Sequence, residues 1–141
     1  MPTDRVTFYF DPCCPWTWNT SRWVLEVARE RQLAVDWRPL SLTVLNAGKE
    51  IPPRYLASME VGHATLRVVA AMQAAGRTDG IADLYTEVGR RLFYDRKAPS
   101  MELVTGAAEA VGLGAFAAAA TDTSYDTVVE ASTRELSLIH I

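Results

Sequence analysis

The sequence predicts an α/β protein that opens with a strand–helix–strand unit and continues as a run of helices. Three observations carry this. Val6 to Phe10 (VTFYF) is β-branched and aromatic throughout, the pattern of a short strand buried on both faces. From about Trp16 to Arg31 apolar residues recur at helical spacing. From Pro52 to Glu135 the period stays helical, punctuated by Gly and Pro.

Each element follows in chain order. Asp11-Pro12 ends the first strand, and Pro15 suits a first helical turn, where its missing N–H costs nothing. Thr20, Trp23, Val24, Val27 and Ala28 share one helical face and are expected inward, opposite Arg22, Glu26, Arg29 and Glu30. Leu33 to Leu42 reads as the second strand, with Val35 and Trp37 alternating against Asp36 and Arg38. Pro39 marks an edge position or the strand's end. The two strands are expected to be parallel, joined by the helix as a crossover. Tyr55, Met59, Leu66, Val69 and Ala70 mark a helix ending near Gly76, and Ile81, Leu84, Tyr85, Val88 and Leu92 mark the next. Ser100 is expected to cap a helix carrying Met101, Val104, Ala108 and Val111, with Gly112 as its stop. Ala115 to Ala120 predicts a short alanine-rich helix. Ser124 is expected to cap a last helix bearing Tyr125, Val128 and Val129.

Composition narrows the function. The chain has 141 residues, 49% hydrophobic and 22% charged, enough for one domain with a core. Its net charge is −3 and its basic residues are scattered, which excludes a nucleic-acid partner. The two cysteines, Cys13 and Cys14, are adjacent. A disulfide framework needs separated pairs, and a four-ligand zinc site needs more Cys or His, so no metal is expected. Apolar runs are too short to span a bilayer, so no membrane partner is expected. The N-terminal residues show no signal-peptide pattern, and the cytoplasm is the expected location.

The chemistry is concentrated in Asp11-Pro12-Cys13-Cys14-Pro15-Trp16-Thr17-Trp18. Cys14 stands where a strand-to-helix loop meets the first helical turn. Free backbone N–H groups and the helix dipole favour an anion there, so a thiolate at Cys14 is favoured and nucleophilic. Cys13 is expected to pack under the loop as a small hydrophobe. His63 is a lone histidine on a predicted helix and reads as structural. Arg90-Arg91 and Arg96-Lys97 read as a solvated face, and Gly112-Leu113-Gly114 lacks the preceding strand of a phosphate loop.

At this motif the sequence resembles the DsbA-like branch of the thioredoxin superfamily. It is most similar to the actinobacterial proteins described as mycothiol-dependent nitroreductases. Their pattern is a strand, then Asp-Pro-x-Cys-Pro-Trp-Cys-Trp, then a Thr-Ser-Arg-Trp helix. Here the residues run Phe8 to Trp18, then Thr20-Ser21-Arg22-Trp23. Ser41 to Asn46 and Ile51-Pro52-Pro53-Arg54-Tyr55 continue the likeness. The resemblance implies a thioredoxin-like, DsbA-type α/β fold with an α-helical insertion domain. It implies thiol–disulfide chemistry with a low-molecular-weight thiol, mycothiol or glutathione, as co-substrate. The partner would be a small-molecule disulfide or electrophile, and a homodimer stays open. Cys14 matches the attacking cysteine, and Pro15 follows it in the motif. Trp16, Asn46 and Tyr55 fall where the family lines its substrate pocket.

The sequence departs from that pattern at Thr17, which occupies the position of the resolving cysteine. A dithiol site attacks with one sulfur and releases the mixed disulfide with the other. Thr17 offers only a hydroxyl, which can donate a hydrogen bond to the thiolate. A Cys13–Cys14 bridge would close a small strained ring and is disfavoured. The substitution opens a rival resemblance, to kappa-class glutathione transferases and hydroxychromene-carboxylate isomerases. These use a hydroxyl residue at the active-site helix and bind a thiol without forming a disulfide. A third reading is an inactive fragment or a module that only binds small thiols.

A thioredoxin-type unit also needs two further strands and a final helix after the insertion. The expected organisation is therefore residues 1–45 as an N-terminal βαβ half with the active-site loop, and 46–135 as the helical insertion. Leu136 to Ile141 (LSLIHI) is similar to the translation of a transposon end used to tag sequencing libraries. The expectation is that 136–141 is an adaptor-encoded tail, with the C-terminal strand–strand–helix part missing.

Overall fold

The computed structural model describes residues 4–139. The first strand, β1 (Arg5–Phe10), leads through a tight turn into α1 (Pro15–Arg31), and β2 (Ala34–Pro39) returns beside it. The strands pair in parallel, from Arg5 opposite Ala34 to Phe10 opposite Pro39. The α1 helix ends on Gln32, whose φ of 55° places it in the left-handed region while its N–H returns to Ala28. A short helix, α2 (Leu42–Leu45), follows, then the long α3 (Pro53–Ala74), α4 (Ile81–Gly89), α5 (Met101–Ala110) and α6 (Asp126–Ile139). A π-helical turn, Arg90–Tyr94, extends α4, and 3-10 turns occupy Thr78–Gly80, Gly114–Thr121 and Thr123–Tyr125. The expected α/β class holds, and the long helices fall where apolar periodicity puts them.

The core lies around α3. Val61 to Leu66 and Val68 to Met72 are buried without a break on either side of Arg67. Such all-round burial is typical of a central helix. Leu84, Tyr85 and Val88 of α4 and Leu103, Val104, Ala107 and Ala108 of α5 close on it. The strand unit joins this core through an aromatic cluster. Phe10 and Tyr85 rings lie 4.5 Å apart, and Trp37 meets Phe10 edge-on at 5.7 Å and Tyr85 at 5.9 Å.

Several local expectations are corrected. Of β1 only Phe10 is buried, and Arg5 to Thr7 are exposed, because among the described residues β2 is its one neighbour strand. On α1 the buried residues are Trp18, Ser21 and Ala28, while Trp23 is 67% exposed. The helix is turned by Trp18, whose indole lies against Gly89 and donates to the Tyr85 carbonyl at 3.2 Å. A Cβ on Gly89 would sit 1.9 Å from that indole nitrogen, so the approach needs glycine. Ala115 to Ala120 fold as 3-10 rather than α-helix. Ser124 lies inside a 3-10 turn capped by the Asp122 carboxylate, and α6 begins at Asp126. Ser100 does cap α5, accepting from the Leu103 N–H at 3.2 Å. The α6 helix runs from Glu135 into Leu136, Ser137 and Leu138 without a break. His140 and Ile141 lie outside the described residues.

Candidate active site

The turn after β1 builds the site. The Cys14 N–H donates to the Asp11 carbonyl at 3.0 Å, closing the turn. Cys14 then serves as the N-cap of α1 in an extended conformation, with Pro15 in the first helical position. Its carbonyl accepts the Trp18 N–H at 3.1 Å. Its sulfur makes no cap bond to the helix. The Thr17 hydroxyl, one turn on, donates to Cys14 Sγ at 3.2 Å. The sulfur therefore has a hydroxyl donor beside it at the N-terminal end of α1.

Asp11 lies beneath the turn and is 2% exposed. One carboxylate oxygen accepts the Cys13 N–H at 2.9 Å and the other accepts the Leu42 N–H at 2.7 Å. Burial pushes the Asp11 carboxyl up from its ordinary range, against the pull of these two N–H donors. Burial also pushes the Cys13 thiol far up, and the neighbouring Asp11 charge adds to it. Both cysteines are half-buried free thiols.

A cavity of about 380 Å³ opens beside the two sulfurs. Pro15, Leu42, Ile51, Pro52 and Met59 give it apolar walls, and Asn46, Tyr55 and Ser58 supply its polar side chains besides the thiols. No lining residue carries a formal positive charge. Asn46 is fixed by its side-chain amide, which donates to the Leu42 carbonyl at 2.8 Å. Tyr55 is half exposed, with the Arg54 guanidinium 4.6 Å above its ring. Cys14, Pro15, Asn46 and Tyr55 thus come together at one cavity, with Thr17 on the sulfur. Trp16 does not line it: its side chain is 78% exposed on the first turn of α1.

Sequence reasoning missed what supports the site from behind. Ser41 caps α2, and its hydroxyl bonds His63 Nδ1 at 2.8 Å. His63 Nε2 meets Asp126 at 2.8 Å, and Arg67 makes a two-pronged bond to the same carboxylate at 2.7 and 3.1 Å. The Arg67 bonds lead in holding the Asp126 carboxyl below the usual range. Ser, His and Asp in a row suggest a hydrolytic triad, but Ser41 is fully buried and its hydroxyl also accepts the Val44 N–H. The row is a strut joining α2, α3 and α6. His63 is structural, as its isolation in the sequence suggests. Among the described residues no group of three His, Cys, Asp or Glu could hold a metal ion. Among them also, no helix is long and apolar enough to cross a membrane.

The comparisons with known proteins bear on this geometry. A crystal structure of a "putative protein disulfide isomerase" from Nitrosomonas europaea superposes with a TM-score of 0.73 at 12% identity, over 99% of this chain and 81% of that one. At that identity the likeness shows the fold, which is DsbA-like and thioredoxin-type. An uncharacterised protein of Mycobacterium tuberculosis (strain ATCC 25618 / H37Rv), Rv2286c, is 41% identical over 49 residues. That match takes in 33% of this chain and 21% of Rv2286c, so it spans about a fifth of that curated relative. The family model described as mycothiol-dependent nitroreductase Rv2466c matches residues 13–137, from the first cysteine through most of α6. With nearly the whole chain matched, the protein belongs to the Rv2466c-like family.

Proposed function

We propose that this chain is a thiol-dependent oxidoreductase that works through one sulfur, Cys14, with a low-molecular-weight thiol as co-substrate. The observation that carries the reading is the placement of Cys14. Its sulfur stands at a helix N-terminus, accepts from Thr17 and faces an apolar cavity. In the proposed step the Cys14 thiolate attacks one sulfur of a disulfide substrate. A new S–S bond forms, the old one breaks, and the departing thiolate takes the electron pair and then a proton. Thr17 has no sulfur with which to release the product. The mixed disulfide on Cys14 therefore waits for an external thiol, which attacks its outer sulfur, frees the Cys14 thiolate and leaves as a mixed disulfide with the substrate half. A second external thiol exchanges with that product to release the last substrate thiol, so two external thiols end as one disulfide for each substrate disulfide reduced.

The cavity supports mycothiol over glutathione. Glutathione carries two carboxylates that call for cationic partners, and the lining offers none. The surface the cavity presents is almost wholly apolar, which suits an uncharged thiol better than a doubly anionic one. The apolar walls suit a small electrophile or an organic disulfide. Membership of a family described by mycothiol dependence points the same way. Such chemistry fits a reducing compartment such as the cytoplasm.

The test is a single-turnover challenge of the reduced chain with a small disulfide, read by intact mass and peptide mapping. One adduct on Cys14, stable until a second thiol is added, is expected. No adduct, or fast release with Cys13 and Cys14 bridged, would sink the reading. One observation favours a second reading. The Thr17 hydroxyl at 3.2 Å from the sulfur could also steady a bound cofactor thiolate, as in a kappa-class transferase. Conjugation of an electrophile that survives Cys14→Ser would select it.

A further inference from the structure

Two adjacent thiols border one cavity, and a site that works through one of them needs a reason for the other to stay silent. We propose that Asp11 makes this choice. It clamps Cys13 by its backbone and sets a buried carboxylate beside the Cys13 thiol, so that Cys14 alone is nucleophilic. This rests on the reading of Cys14 as the reacting sulfur.

The clamp is built from three sides. Asp11 spans two elements with its two oxygens, taking the Cys13 N–H of its own loop and the Leu42 N–H at the start of α2. From α3, Gly62 closes against it. A Cβ at position 62 would lie 2.2 Å from Asp11 Oδ1 and 3.0 Å from the Cys13 Cβ. The loop thus lies directly on the α3 backbone, and Cys13 cannot swing outward without breaking this contact. The ionisable groups facing Asp11 are Cys13 and Cys14 on its own loop, His63 on α3 and Tyr85 on α4.

Charge finishes what packing begins. Both Asp11 oxygens accept backbone N–H bonds, the arrangement that suits a carboxylate, and a negative charge held there opposes a second one on the neighbouring Cys13 thiol. Cys13 meets three obstacles to ionisation: burial first, then Asp11, then the Cys14 thiolate. Cys14 differs in all that matters. It has the helix end and a hydroxyl donor, and Asp11 contacts its loop through main chain rather than through the sulfur.

The experiment follows alkylation of each sulfur by iodoacetamide against pH, with peptide mapping. In the native chain Cys14 is expected to react more than about tenfold faster than Cys13, and the preference should vanish in denaturant. To isolate Cys13, Cys14→Ser is compared with Cys14→Ser/Asp11→Asn. Removing the charge should move the midpoint of the Cys13 pH–rate profile downward by about one unit or more, near tenfold in rate at pH 8. Cys14→Ser/Gly62→Ala, whose new Cβ would push the Asp11 carboxylate off Cys13, is expected to act in the same direction as Asp11→Asn. The proposal is overturned if native Cys13 is labelled as fast as Cys14. It is equally overturned if Asp11→Asn leaves the midpoint unchanged. The native measurement stands even if the Asp11 variant fails to fold. Selective alkylation of Cys14 without any mixed disulfide in the single-turnover challenge would refute the redox reading while leaving this one intact.

Discussion

The strand unit and the helical unit use similar side chains to different effect. Around α3, large apolar residues disappear completely: Leu66, Val68, Val69 and Met72 are all at zero exposure. In the strand unit Trp16, Trp23 and Val6 remain in contact with solvent. What separates them is the number of neighbours, since one helix and one partner strand cannot cover both faces of a two-stranded sheet. The cysteine loop lies on the seam. Its sulfurs come from the strand unit, and most of its cavity wall comes from α2, α3 and the loop between them. The most deeply buried packing and the two thiols thus lie in different regions.

That division can be broken in three places, in falling order of effect. Leu66→Ala, at the centre of α3, should cost about 3 kcal/mol in urea unfolding, because a fully buried leucine leaves a cavity. A loss below about 1 kcal/mol would show that the helical unit is not the stable half. Glu87→Gln tests the rim. Hydrogen bonds from Arg90 and Arg91 hold the Glu87 carboxyl down to about 2 from its usual 4.5. A depressed carboxyl stabilises the fold above its unfolded value and loses that contribution as pH falls from 4.5 to about 2. The variant should therefore lose acid sensitivity across that window, with a difference of about 1 kcal/mol or less at neutral pH, since Arg90 faces water. Thermal melts at stepped pH would read it. Trp23→Ala should change stability by less than about 0.5 kcal/mol despite removing a tryptophan side chain. A larger loss would mean that Trp23 is covered in solution.

The parts legible in the sequence were those set by local chemistry. The run VTFYF, the Asp-Pro break, Pro15 at a helix start and the Ser100 cap each follow from neighbouring residues. They located β1, α1 and the start of α5 and put Cys14 at a helix end. Long-range fits were not legible. Periodicity put Trp23 on the inward face, whereas Gly89, seventy-one residues beyond Trp18, gives the Trp18 indole room to be the buried one. Trp16 was expected at the cavity and Asp11 was taken only as a strand stop. The available signal at Asp11 was a carboxylate straight after an apolar strand, where burial requires N–H donors. Those donors come from Cys13 and from Leu42 across the chain, and the second of them no local pattern shows.

The last helix stitches as well as packs. Thr133 offers its hydroxyl oxygen to the Ser41 N–H at 3.0 Å, Ser132 donates to the Pro39 carbonyl at 2.7 Å, and Glu135 grips Arg38. These seams hold the segment that carries Leu42, one wall of the cavity and one end of the Asp11 clamp. For protein engineering this sets a boundary. A chain trimmed before Ser132 would strand the buried Ser41 amide and slacken the floor under a cysteine more than a hundred positions upstream, whereas a fusion joined after Glu135 keeps every stitch.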